Sequence, residues 1–282
     1  LIGDIKKYIE PYLTTCEPID YKGLKLKPVK IKDFFTFKEN SEILMIEKNR
    51  IADINVITMS YLSFIFQLIL TNEEWKNKFI CIMGMCLGAE FDESLLMEEF
   101  PPNEILFSQI DEDKADVYIN GYPISFKYND GKVESIEIMK ININPTEFDD
   151  IIRLILYQNV NDYDDNFMTD DVRKAVTEYY ELKNRNKKDI TLNDKIIEVM
   201  RITGRTKKDI LDMTIIDFNK LFSSNLDYVE YFIGCMALCQ GAKCDVEHWL
   251  YKSDKQKFSD VFSSASDYTN KINHPESTLG DN

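Results

Sequence analysis

Residues 115–139 read ADVYINGYPISFKYNDGKVESIEIM, and this stretch decides the fold. Asn120-Gly121 and Asp130-Gly131 are strong hairpin signals, because the two central residues of a tight hairpin turn must reach φ > 0. Val117, Tyr118 and Ile119 precede the first turn. Ile124, Phe126 and Tyr128 lie between the turns, and Val133, Ile136 and Ile138 follow the second. These β-branched and aromatic residues favour a pleated, half-buried surface. The stretch predicts a small antiparallel meander, with Ile105, Leu106 and Phe107 leading into it.

Helical patterns flank the meander on both sides. Asp33 is placed to cap a helix carrying Phe34, Phe35 and Phe37. From Val56 to Leu70, the residues Ile57, Tyr61, Phe64, Ile65, Leu68 and Ile69 keep helical spacing. Thr71 or Asn72 then caps a second helix, whose first turn holds Glu73 and Glu74 as the helix dipole favours. The two form an αα-hairpin. Beyond the meander, Asn144 and Pro145 open an apolar helix from Phe148 to Asn159. Further helices are predicted over 169–184 and 193–202. Two short ones, capped by Thr206 and Thr214, follow within 203–223. A long one runs over 225–240 and is stopped by Gly241.

The predicted class is α+β, mainly α-helical, with a small antiparallel β meander between two helical halves. The expected divisions are 1–102 (N-terminal arm and helical hairpin), 103–143 (meander), 144–262 (C-terminal helices) and 263–282 (disordered tail). The helical pair 56–88 and the helices 145–159 and 225–240 are expected to share one core.

Composition narrows the function classes. Of 282 residues, 44% are hydrophobic and 12% aromatic, enough for a sizeable core. Forty-nine acids against thirty-four bases give a net charge of −15, which repels nucleic-acid phosphate and anionic lipid. The basic runs Lys22–Lys32 and Lys183–Lys188 read as solvated faces, and RITGRTKK at 201–208 reads as a helix connection. No nucleic-acid or membrane partner is expected. The most apolar run, Val56–Leu70, is short for a membrane span and reads as a core helix. Five of the six cysteines lie in apolar, helix-like stretches, which suggests a reduced, intracellular protein with buried thiols.

Catalytic and metal constellations are weak. Cys235, Cys239, Cys244 and His248 form C-x3-C-x4-C-x3-H, on paper a Cys3His zinc set. The spacing is not that of a zinc finger or ribbon, and Cys235 and Cys239 share a helix face with Tyr231, Phe232, Met236 and Leu238. Buried structural thiols are therefore the reading adopted, with no metal and no cofactor. His248 and His274 are the sole histidines, which leaves little material for a Ser/His/Asp or Cys/His site. Asp162, Asp164 and Asp165 lack the Gly and Glu of a calcium loop. Glu98-Glu99 and Asp149-Asp150 are adjacent pairs that do not share a helix face. Gly-rich phosphate loops are missing. No enzyme is expected.

Several segments together carry a family resemblance. They are PVKIKDFF at 28–35, MSYLSF at 59–64, Phe148–Leu156 with Tyr157-Gln158-Asn159, MTIIDFNKL at 213–221 and His248-Trp249. In these the chain resembles tail assembly chaperones and tail assembly proteins of tailed bacteriophages of Gram-positive hosts. The resemblance implies a non-enzymatic binder acting in the host cytoplasm during virion assembly, with phage tail or tape-measure proteins as partners. A structural tail or connector subunit that stays in the virion is the alternative, and a metal-dependent enzyme is the second. Self-association is left open. Three strands alone are marginal, so the meander is expected to serve as a hinge between the helical halves or as a docking edge. Tyr118, Ile124 and Phe126 are the expected partner-contact residues.

Overall fold

The computed structural model describes residues 4–48, 51, 53–87, 108–111, 114–119, 122–129, 132–161, 163, 178, 190–243, 246, 248 and 249, with backbone alone at 108–123 and 128–129. The expected helix 169–184 apart from residue 178, the acidic residues Asp162, Asp164 and Asp165, Ile105–Phe107, Cys244 and the tail 263–282 lie outside the described residues, as do the four hairpin residues 120–121 and 130–131. The chain divides into two compact units. The first comprises 1–165 and 199–221, and the second 166–198 and 222–282.

The class is the expected one: α+β, mainly helical, with antiparallel sheet. In the first unit, helix α1 (Ile5–Thr15) leads into a hairpin of β1 (Ile19–Tyr21) and β2 (Leu24–Leu26). Lys22 and Gly23 turn this hairpin at φ 55° and 88°, and Asp20 Oδ1 accepts from the Gly23 amide at 2.9 Å. Helices α2 (Phe34–Asn40), α3 (Ile54–Thr58), α4 (Tyr61–Thr71) and α5 (Glu73–Cys86) follow. The apolar run Val56–Leu70 is two helices rather than one. The break comes at Ser60, whose extended backbone and side chain cap α4 by accepting from the Ser63 amide at 3.1 Å. Asn72 alone joins α4 to α5, and its Oδ1 accepts from Glu74 and Trp75.

The meander has five strands, in the order β3 (Ser108–Asp111), β4 (Lys114–Ile119), β5 (Tyr122–Asn129), β6 (Lys132–Ile138) and β7 (Ile141–Ile143). The register pairs Ile119 with Tyr122 and Asn129 with Lys132, leaving two residues for each of the connections that carry Asn-Gly and Asp-Gly. Outer strands β3 and β7 extend the three that the sequence picks out. The β6–β7 turn has no Gly: Met139 and Lys140 take φ 52° and 66°. A bulge at Glu134 shifts the β5–β6 register, since Lys127 pairs with Ser135 but Tyr128 with Val133. Inward alternation changes phase there, and Val133, Ser135, Ile136 and Ile138 are all buried.

Helix α6 (Pro145–Asn159) follows, opened by a reciprocal capping box between Asn144 and Glu147. Ten of its fifteen residues are buried, so it is a central helix packed on α1, α4 and β6. Phe126 on β5 stacks against Phe66 of α4, with ring centroids 4.8 Å apart, and lies 6.4 Å from Phe79 of α5. The buried Ser63 hydroxyl accepts the Val133 amide at 3.0 Å, tying α4 to β6. Thus the helical pair and α6 do share a core with the sheet.

Helices α7 (Leu192–Thr203), α8 (Lys207–Leu211) and α9 (Ile215–Cys239) complete the described chain. Thr206 caps α8 with a capping box to Asp209. Thr214 receives the Asp217 amide at 3.2 Å, but the helix it starts does not stop within 203–223. It runs on as one 25-residue helix through the expected 225–240 segment, which from Phe222 belongs to the second unit.

A left-handed backbone costs a residue with a Cβ about 1–2 kcal/mol. Lys140→Gly is therefore expected to raise stability by about 1 kcal/mol, less the added chain entropy of glycine. Urea denaturation checks it: the midpoint should rise with an unchanged slope.

Candidate protein-contact face

Residues 24–31 form an extended strap whose backbone is bonded to three distant parts of the first unit. Lys27 donates to Cys86 O at the end of α5 (2.7 Å). Leu26 O accepts from Gln158 Nε2 (3.3 Å), and the Val29 amide donates to Asn159 Oδ1 (2.6 Å) at the end of α6. Ile31 donates to Met213 O and Val29 O accepts from Ile215, at 2.9 and 3.0 Å. Gln158 and Asn159 thus act as structural clips.

A shallow depression at the start of α6 is lined by Tyr21, Lys22, Asn144, Thr146, Glu147 and Asp150. Its polar groups are spent on one another. Tyr21 Oη donates to the buried Asp150 carboxylate at 3.1 Å, and Arg153 lies 3.6 Å from the same group. Burial, and then the nearby Asp150 charge, push the Tyr21 phenol up. Lys22 pairs with Glu147 and, with the Asn144 amide, holds that carboxyl below its usual range. The neighbouring Asp149 is pushed up by desolvation. This arrangement locks the β1–β2 turn onto α6.

The sequence-predicted contact residues fall differently from expectation. Ile124 and Phe126 are buried, at 1% and 0% exposure, because β5 turns this side onto α4 and α5. They are core residues and not a docking surface. Tyr118 lies on β4, and its side chain is outside those described.

The zinc set is also dispersed in character. Cys235 is half-buried and Cys239 exposed on α9, which corrects the expectation of buried thiols there; Cys16 is exposed as well. Cys86 alone among the described cysteines is fully buried, and its thiol is pushed up by desolvation. The His248 ring sits 5.0 Å from Tyr231 and 6.1 Å from Trp249. Cys244 lies outside the described residues, and among those described no cluster of three His, Cys, Asp or Glu could hold a metal.

The second unit presents a feature that residue-by-residue reading passed over. Leu226, Tyr228, Val229, Phe232, Ile233, Met236 and Leu238 of α9 are all substantially exposed. Residues after Gly241 return along one side of the helix. Val246 lies at Gly234, where an added Cβ would come within 2.9 Å of its methyl group, while His248 and Trp249 meet Tyr231 and Tyr228. A mid-helix glycine is disfavoured, and this close approach accounts for it. Apolar periodicity could have located the face, since 226, 229, 233 and 236 keep helical spacing; periodicity alone does not say which stripe stays uncovered. No helix among the described residues is long and apolar enough to cross a membrane. Comparison with protein-family models, curated proteins and solved structures finds no match to this chain.

The Lys22–Glu147 pair has a pH signature. Glu147 is depressed in the folded state, so its contribution is present above the unfolded value of about 4.3 and is lost as pH falls through the folded value. Lys22→Met is expected to destabilise by less than about 1 kcal/mol at pH 6, Lys22 being half exposed. Urea midpoints of the two proteins should converge as the pH is lowered to about 3.

Proposed function

We propose that this chain is a non-enzymatic protein-binding factor of bacteriophage tail assembly. The observation that carries the binding part is the apolar stretch Leu226–Leu238 of α9, with seven large side chains substantially exposed over thirteen positions. Exposed apolar surface gathered in this way, rather than scattered singly, is what a protein-contact site requires. Phe232 and Met236 suit such a role: an aromatic supplies contact area, and an unbranched thioether adapts to different partner shapes. The mutual pairing of Tyr21, Asp150, Arg153, Lys22 and Glu147 is consistent with the non-enzymatic reading. The phage-tail part rests on the resemblance at 28–35, 59–64, 148–159, 213–221 and 248–249.

The test is affinity capture of the tagged full chain from infected host cells, with mass spectrometry of what is retained. A tail or tape-measure protein is expected to be retained, and Phe232→Glu, at a position already exposed, should lower its yield at least about tenfold. Retention of no tail protein, or equal retention by the variant, contradicts the proposal. Stoichiometric presence of the chain in purified particles would favour a virion subunit instead.

A further inference from the structure

We propose that a second copy of this chain packs on α9, stripe against stripe, to form a helix pair across a two-fold axis. The inference rests on reading this side of α9 as a contact surface and goes further by naming an occupant.

Phe222, Leu226, Val229, Ile233 and Met236 follow one another at intervals of four, three, four and three residues. That alternation is the seam of a helix–helix interface, because it averages 3.5 residues and keeps one narrow stripe facing a partner helix. On a helical projection, Gly234, Tyr231 and Tyr228 lie away from this stripe, and those are the positions met by Val246, His248 and Trp249. The unit's own return segment therefore occupies other sides of the helix. On the stripe, Leu226, Val229, Ile233 and Met236 remain 37–61% exposed.

Charge and area favour a like partner. Asp227 and Glu230 are the only charged residues between Phe222 and Ala242, and neither falls on the stripe. Lys195 lies over the Phe222 ring at 5.3 Å; beyond that end, an acidic or basic partner would find little charge to pair with along the stripe. An uncharged stripe is instead complementary to itself, as a two-fold interface requires. At roughly 200 Å² for a free side chain of this size, the four exposed stripe residues offer about 380 Å². With the usual apolar share of about 60%, that corresponds to an interface of about 630 Å² per copy, at the lower end of the range for specific complexes.

Sedimentation equilibrium of the purified full chain, with no phage component present, tests this. The expected mass at about 50 µM is twice 33.0 kDa. Ile233→Glu should weaken self-association at least about 100-fold and give a monomer at that concentration. Phe35→Glu, at an exposed position of the first unit, should remain dimeric. Circular dichroism checks folding, and Met236→Ser serves if Ile233→Glu unfolds. A wild-type monomer at about 50 µM overturns the proposal, whether the stripe is then open or covered by residues 251–282. Dimers that persist in both α9 variants overturn it as well. Neither outcome touches capture of a tail protein. Conversely, an Ile233-dependent dimer that captures none leaves this inference standing and removes the proposed function.

Discussion

The backbone amide of Val29 is buried and donates to one side chain, Asn159 Oδ1, at 2.6 Å. A buried amide left without a partner costs about 1–3 kcal/mol, so a strap that runs beside a helix end must be clipped there. Asn159 is held for the purpose, since its Nδ2 donates to Ile155 O at 2.9 Å. Gln158 does the matching work on Leu26 O. The rest of the first unit is arranged around this junction. The strap's remaining backbone groups bind the end of α5 and the turn before α9, so three segments far apart in sequence meet through residues 24–31.

Helix α6 makes the junction possible. It is buried on most of its circumference, with Phe148, Ile151, Leu154, Ile155 and Leu156 fully inaccessible. A helix in that position must satisfy its polar groups internally, and its N-terminal part does so, while Gln158 Oε1 near the other end is buried without a hydrogen-bond partner. Asn144 and Glu147 close the N-terminus, and Asp150 meets Tyr21 and Arg153 one turn later. The sheet then packs on the remaining surface through Phe126 and through the bond from Val133 to Ser63. Its inner residues are consumed by this core, which is why Ile124 and Phe126 serve stability and not recognition.

What was legible in the sequence is what local chemistry dictates. Asn72, Asn144 and Thr206 cap helices because their side chains reach amides two or three residues ahead. Asn-Gly and Asp-Gly fall between strands that pair, Ile119 with Tyr122 and Asn129 with Lys132. Met139-Lys140 escaped notice because the flanking pairing forces a left-handed turn that the residues themselves disfavour. The break at Ser60 was hidden by apolar residues continuing on both sides of it. The continuity of α9 was hidden by Ser223, Ser224 and Asn225, which read as a boundary but lie within a helix. Contacts such as Val29 with Asn159 span 130 residues and leave no local trace. The exposed residues of α9 are partly legible: the run is apolar by sequence, but which positions Val246, His248 and Trp249 meet is set by tertiary contacts.

The central structural claim is that the strap and α6 form one cooperative junction. Native-state hydrogen exchange at the amides of Lys27, Val29 and Ile31 tests it most directly. The account predicts that all three exchange only through global unfolding, with an opening free energy equal to that from urea denaturation and the same dependence on urea. Exchange of Val29 through a local opening of much lower free energy, insensitive to urea while α6 stays protected, would contradict it.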